Sequence, residues 1–298
     1  MTADYAAARQ TRGHRERSTA VLSVEGPDRS AFLQGQLTQD VKTLSAGETR
    51  PAAGLNAKGK LIYFGRVHAQ IERILLLVES TSRDAVLAHL RKYAVFQKVT
   101  VNDASDSLIE IGLYGPGASA IEAAAGDAKL PADGEFSAAL LAPASARDAL
   151  LLRLDEAGSV AVSDDTAEIL RVEAGRPRMG QDADQTNLPD EVGLQAAIAT
   201  NKGCYVGQEI VARLRTYGRA NRRLVGLRFP AGPVSRDTVF PDPGKPDLEL
   251  LRVSSSVVSP RLGAIGLGLA FREVPDGGSL GFSGESGPVA VVIALPFA

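Results

Sequence analysis

The chain is short of the residues that staple or metallate a fold. A single cysteine, Cys204, among 298 residues leaves no internal disulfide, tetrathiolate zinc site or four-cysteine iron–sulfur ligand set. Such usage favours a reducing compartment. His14, His68 and His89 form no pair at metal-ligand spacing, so mononuclear metal chemistry is not expected. The longest apolar runs, Ile74 to Val78 and Val289 to Leu295, fall far short of the ~18–20 residues that cross a bilayer. Charge of one sign is also lacking: 33 Lys plus Arg against 35 Asp plus Glu leave a net of −2. No whole-molecule field can then hold nucleic acid or an anionic membrane, and any such binding must be local. Gly115-Pro-Gly117 does not complete a GxGxxG pattern and there is no GxxxxGK[ST], so nucleotide cradling is unsupported. Arg9, Arg12, Arg15 and Arg17 have no apolar segment beside them, which argues against a secretory signal. Residues 1–17 read as a flexible, solvated tail on a cytoplasmic protein.

Hydrophobic residues at 44% and charged residues at 23% match a globular protein of two or three domains. Thr19 to Val24 alternates as a strand and stops at Gly26-Pro27. A helix capped by Asp28 or Ser30 follows, with Phe32, Leu33, Leu37 and Val41 near helical spacing. Asn56-Ala-Lys-Gly59 reads as the turn of a hairpin, and Ser82 starts a helix with Val86, Leu87, Leu90 and Tyr93 as its buried stripe. Leu108 to Tyr114 is a strand, and Gly115-Pro-Gly117 opens an Ala-rich helix through Ile121. A helix begins at Ser163 to Asp165 and is ended by Gly175 and Pro177. Prolines between Pro230 and Pro246 break regular structure, and short strands are expected beyond them. No repeat or heptad pattern is present.

The most informative stretch runs from Arg171 to Arg223. Glu173 falls in the last turn of its helix, where the macrodipole repels a carboxylate. Either an ion pair with Arg171, Arg176 or Arg178 offsets this, or the carboxylate faces a cavity and accepts two parallel N–H donors from a pterin- or guanidine-like ring. Cys204 follows Lys202-Gly203 and precedes a helix starting near Gly207. Beside a lysine and a helix N-terminus its thiol is expected to be acidic and reactive; alone, it could equally be a small buried hydrophobe. Gly203 and Gly207 suit close backbone approach. Arg213, Arg215, Arg219, Arg222, Arg223 and Arg228 form a local anion site or, equally well, a solvated face. Only Tyr217 interleaves with them, so direct nucleic-acid binding is not expected there.

Lys202-Gly-Cys-Tyr-Val-Gly-Gln-Glu209 resembles the signature of the YgfZ-type folate-binding proteins, relatives of the glycine-cleavage aminomethyltransferase. Phe32 to Asp40, Leu55 to Lys60, Tyr114 to Pro116, Arg171 to Gly175 and Pro189 to Leu194 agree in the same order. The resemblance implies an α+β fold: a three-part ring of a discontinuous α+β domain (18–52 and 105–218), an inserted α+β domain (53–104) and a C-terminal β-barrel (219–298). It implies tetrahydrofolate as ligand, Glu173 as the carboxylate that reads the pterin, and Cys204 as a functional thiol. Lys202, Tyr205, Gln208, Arg213 and Arg223 are the further residues expected at the folate site. Iron–sulfur assembly or client proteins are the partners implied, in support of tRNA modification; no membrane or direct nucleic-acid partner is expected.

The aminomethyltransferases continue the Asn56 to Ile62 segment with acidic residues, where this chain has Tyr63 and Phe64. A phenol and a phenyl ring cannot replace a carboxylate that handles protons during one-carbon transfer. Glycine cleavage is therefore not expected. The alternative function is a folate-dependent one-carbon transferase or demethylase with another base.

Overall fold

Several strands are buried almost continuously, as apolar runs covered on both faces are, and glycines with positive φ close several of their turns. The computed structural model describes residues 2–118, 128–131, 135–242, 244–281 and 289–297. The Ala-rich helix expected after Gly117 falls largely outside the described residues. The chain forms two units, Met1–Ser163 with Gln195–Ala212, and Asp164–Leu194 with Arg213–Ala298.

The first unit contains two five-stranded sheets. One runs in the order β3 (Thr49–Leu55), β4 (Leu61–Ala69), β5 (Arg73–Glu79), β2 (Thr19–Glu25), β6 (Thr100–Asp103), all antiparallel. Helices α2 (Arg29–Gln36) and α3 (Arg83–Ala94) join Phe32, Leu33, Val86, Leu87 and Leu90 to its core. Tyr93, expected in that buried stripe, is instead exposed, while its neighbour Ala94 packs against the core. Residues 19–103 thus share one sheet, and no sheet boundary coincides with the division expected at 52/53.

The other sheet runs β10 (Val160–Ala161), β1 (Gly13–Glu16), β7 (Leu108–Tyr114), β9 (Ala138–Pro143), β8 (Ala128–Pro131), with only β1·β10 parallel. Helix α4 (Arg147–Glu156) places Leu150 and Leu154 in its core. The N-terminus is not a solvated tail. Residues 3–10 form helix α1 with Tyr5, Ala7 and Ala8 buried, and β1 pairs with β7. These small apolar side chains suffice to dock α1, a signal masked by the surrounding arginines. Arg17, also placed in that tail, reaches a buried charge cluster on β7: its guanidinium lies 3.5 Å from Glu110 and 4.6 Å from the Phe136 ring centroid.

The second unit carries α5 (Asp164–Glu173) and a six-stranded antiparallel sheet, β12-β13-β14-β11-β16-β15, a nearly closed C-terminal β-barrel sheet. Its strands are β11 (Arg222–Arg228), β12 (Val239–Asp242), β13 (Lys245–Ser259), β14 (Gly263–Phe271), β15 (Ser279–Gly281) and β16 (Val289–Ile293). The expectation of short strands fails at β13, which runs for 15 residues and absorbs a register shift between Val253 and Ser255. Gly175, at φ 67°, ends α5, and Arg176 N–H reaches back to the Arg171 carbonyl.

Candidate functional site

The Lys202–Glu209 segment is built onto the C-terminal end of α2. The Lys202 ammonium donates to the carbonyls of Gln34 (2.8 Å), Leu37 and Gln39 (2.8 Å), and its Nζ lies 4.9 Å from the Tyr205 ring centroid. These carbonyls sit at the negative end of the helix and just past it, where a cation is favoured. Val206 N–H adds a bond to the Gly35 carbonyl. Burial pulls the Lys202 pKa down to about 8, against the pull of the Asp40 carboxylate.

Gly207 lies where this segment meets the Asn56–Gly59 turn. At φ 82°, a Cβ there would stand 2.5 Å from the Asn56 carbonyl oxygen, so close approach excludes any side chain. Gly203, expected to serve similarly, has nothing within 4 Å of its Cβ position. Gln208 Oε1 accepts the Tyr205 N–H at 3.1 Å, which fixes the entry to helix α6 (Gln208–Tyr217). Thr38 Oγ1 donates to the Ala197 carbonyl at 2.6 Å, and Gln39 Nε2 to the Ala196 carbonyl at 3.2 Å. Three segments distant in sequence, around residues 34–39, 56–59 and 196–208, thereby form one polar seam.

Cys204 stands at the exposed part of this seam. The alternative of a small buried hydrophobe is removed. Lys202 and Gln208, expected to contact a ligand, are used differently: all three ammonium protons have carbonyl acceptors, and the Gln208 oxygen serves a backbone amide.

In the second unit Glu173 is 2% exposed, on the last turn of α5. The Ser259 hydroxyl donates to Glu173 Oε1. Its oxygen in turn accepts the N–H groups of Arg261 (3.0 Å) and Leu262 (2.9 Å) in the β13–β14 turn. With two amides directed at that oxygen, its proton is committed to the carboxylate. Two of the arginines considered as partners of Glu173 are taken up by other acids: Arg171 by Asp182 (2.7 Å) and Glu168 (2.6 Å), and Arg178 by Glu168 (2.8 Å). Burial raises the Glu168 pKa, but hydrogen bonds and charge from Arg171, with Arg178 behind them, outweigh it and hold Glu168 at about 2.

Ser254 and Ser255 both donate to Asp182 Oδ1 at 2.6 Å. Consecutive side chains on a strand normally face opposite ways; the register shift lets these two face the same carboxylate. Sequence reasoning missed Ser259, Ser254 and Ser255. Their signal is a serine-rich strand with no polar face to solvent.

The basic segment divides. Arg215 lies 3.8 Å from Asp190, Arg222 3.8 Å from Glu249, and Arg223 2.8 Å from Asp276 while also donating to the Val274 carbonyl. Arg223, expected at the folate, is thus engaged within its own unit, and Arg213 is exposed. Tyr63 is buried, with its pKa raised by burial, so it stays protonated at neutral pH.

The GCVT N-terminal domain family matches residues 1–136. The tRNA-modifying protein YgfZ of Klebsiella pneumoniae (strain 342) is 35% identical over 248 residues, spanning 78% of this chain and 73% of that protein. Its counterpart from Sodalis glossinidius (strain morsitans) is 34% identical over 250 residues, with 78% and 73% covered. The crystal structure of glycine cleavage system aminomethyltransferase T from Bartonella henselae matches with a TM-score of 0.85 at 21% identity, covering 99% of this chain and 88% of that one, a likeness of fold. With identity above 30% over most of both chains, this protein belongs to the YgfZ family.

Proposed function

We propose that this protein binds tetrahydrofolate and acts as an accessory factor in iron–sulfur cluster assembly or repair, indirectly supporting tRNA modification in the cytoplasm. The observation that carries the reading is the buried carboxylate of Glu173, oriented by a hydroxyl whose proton has no other destination. A pterin edge presents parallel N–H donors, and an ionised carboxylate is the acceptor that matches them. The residues present fit the group: Glu173 would receive the pterin and Ser259 would hold Glu173. When bound, tetrahydrofolate supplies a carrier of one-carbon units.

Cys204 is the candidate thiol for a cluster, a persulfide or a client protein, and its exposure lets a macromolecule reach it. One cysteine cannot hold a cluster alone, so a partner must supply the remaining ligands. The relatives' name, tRNA-modifying protein, fits a role upstream of cluster-dependent tRNA chemistry. A one-carbon transferase or demethylase is the rival reading. It requires a base near the folate amine, and Tyr63, at the position where the aminomethyltransferases carry acid, stays protonated.

Cys204→Ala is expected to leave the melting temperature and folate affinity unchanged while lowering the activity of iron–sulfur enzymes in cells that depend on this protein. Undiminished client activity would remove the thiol from the function.

A further inference from the structure

The last turn of α3 and the loop after it keep Ala94 and Val99 against the first unit's core and leave a cluster of their other side chains in solvent. Phe96 is 95% exposed, Val95 71% and Tyr93 40%. An apolar patch held out in water by a well-formed helix marks an interaction surface. Its electrostatics have one sign: Arg91, Lys92 and Lys98 fall in a run from Ala85 to Asn102 without a single Asp or Glu. Lys92 Nζ lies 5.7 Å from the Tyr93 ring centroid, and the His89 ring packs on Tyr93 at 5.1 Å, so one aromatic is braced and carries a cation beside it. Asp28 meets the backbone of Lys98, its carboxylate accepting the Lys98 N–H and its own N–H donating to the Lys98 carbonyl.

We propose that the end of α3 and the following loop, Arg91 to Lys98, form a docking surface for single-stranded RNA. Tyr93 and Phe96 stack bases, and Lys92 and Lys98 meet phosphates, beside an Arg91 whose guanidinium donates to the Val101 carbonyl. Interleaved aromatics and cations are what an unpaired strand recognises, since it offers π-faces and charge at close intervals. A duplex has its bases already stacked, and an acidic protein would use the cations while leaving the ring faces without partners. This surface is distinct from the arginines of residues 213–228 and does not depend on the folate reading.

The test is fluorescence anisotropy of the full-length protein with a labelled oligoadenylate of about 12 nucleotides. Phe96→Ala is expected to weaken binding roughly tenfold with the salt dependence unchanged. Lys92→Gln with Lys98→Gln is expected to flatten the slope of log K against log salt by about 1.4, at about 0.7 for each phosphate no longer neutralised. These side chains are exposed, and unchanged melting curves will show that folding is intact. Absence of salt-dependent binding, equal affinity of the Phe96→Ala protein, or equal affinity for the matching duplex would overturn the proposal. Displacement by polyglutamate together with indifference to Phe96→Ala would also overturn it, in favour of an acidic protein partner.

Discussion

An ammonium group has three protons, and in Lys202 each has a carbonyl to receive it. Replacing the side chain by Met keeps its volume and strands those acceptors; a buried carbonyl left without a donor costs about 1–3 kcal/mol. Lys202→Met should therefore destabilise by roughly 2–4 kcal/mol in urea unfolding, and a change well below about 1 kcal/mol would show that the seam is not held this way. Ser259→Ala makes a different prediction. It removes the hydroxyl donor from the buried Glu173 and should weaken folate binding, and Ser259→Thr should restore it. Unchanged affinity would reduce Ser259 to a turn residue. Lys202, Cys204 and Glu173 were all legible in sequence as unusual positions, but the carbonyl acceptors of Lys202 were not. Spacing shows that a lysine precedes a cysteine; only the tertiary path of residues 34–39 shows that the lysine is occupied and the cysteine exposed.

At the scale of elements, helix ends and strand irregularities position the chemistry. Strand β7, hairpin β3–β4 and helix α5 follow from a short apolar run, an Asn-x-x-Gly turn and a glycine stop, all local signals. The join of α5 to β13 is non-local. It relies on a register shift and on a carboxylate eleven residues past Arg171, which no periodicity reveals. In the first unit, Glu110 on β7 is fully buried between Arg66 and Arg17, and Thr19 donates to it at 2.7 Å. Arg66→Met should cost about 3–5 kcal/mol, because breaking a buried pair leaves one charge uncompensated; Arg66→Met paired with Glu110→Leu should recover much of that stability. A single variant as stable as wild type would contradict the clamp.

For the molecule as a whole, the same clamps set acid stability. Burial pushes the Glu110 carboxyl upward, but Arg66 and Arg17 outweigh it and hold it at about 2; Glu168 in the second unit is held at about 2 by Arg171 and Arg178. Unfolded, both carboxyls titrate near 4.5. The unfolded chain therefore binds more protons between these values, and the stabilisation is complete above about pH 5 and disappears as pH falls toward 2. Urea midpoints should decline as pH falls below about 5; midpoints unchanged from about pH 5 down to about pH 3 would contradict both assignments. The α+β class and the family assignment were legible from scattered motifs because several of those motifs are the surfaces that meet in the seam. The packed N-terminus was not, because two alanines beside Tyr5 leave little periodic signal among arginines. The most direct measurement is a calorimetric titration of tetrahydrofolate into wild type and Glu173→Gln, a change that keeps the shape and removes the charge. Saturable binding by wild type, weakened at least roughly tenfold in the variant, which corresponds to about 1.4 kcal/mol, is the expected result. Equal affinity, or no binding to either protein, would contradict the assignment of Glu173 as the acid that reads the folate.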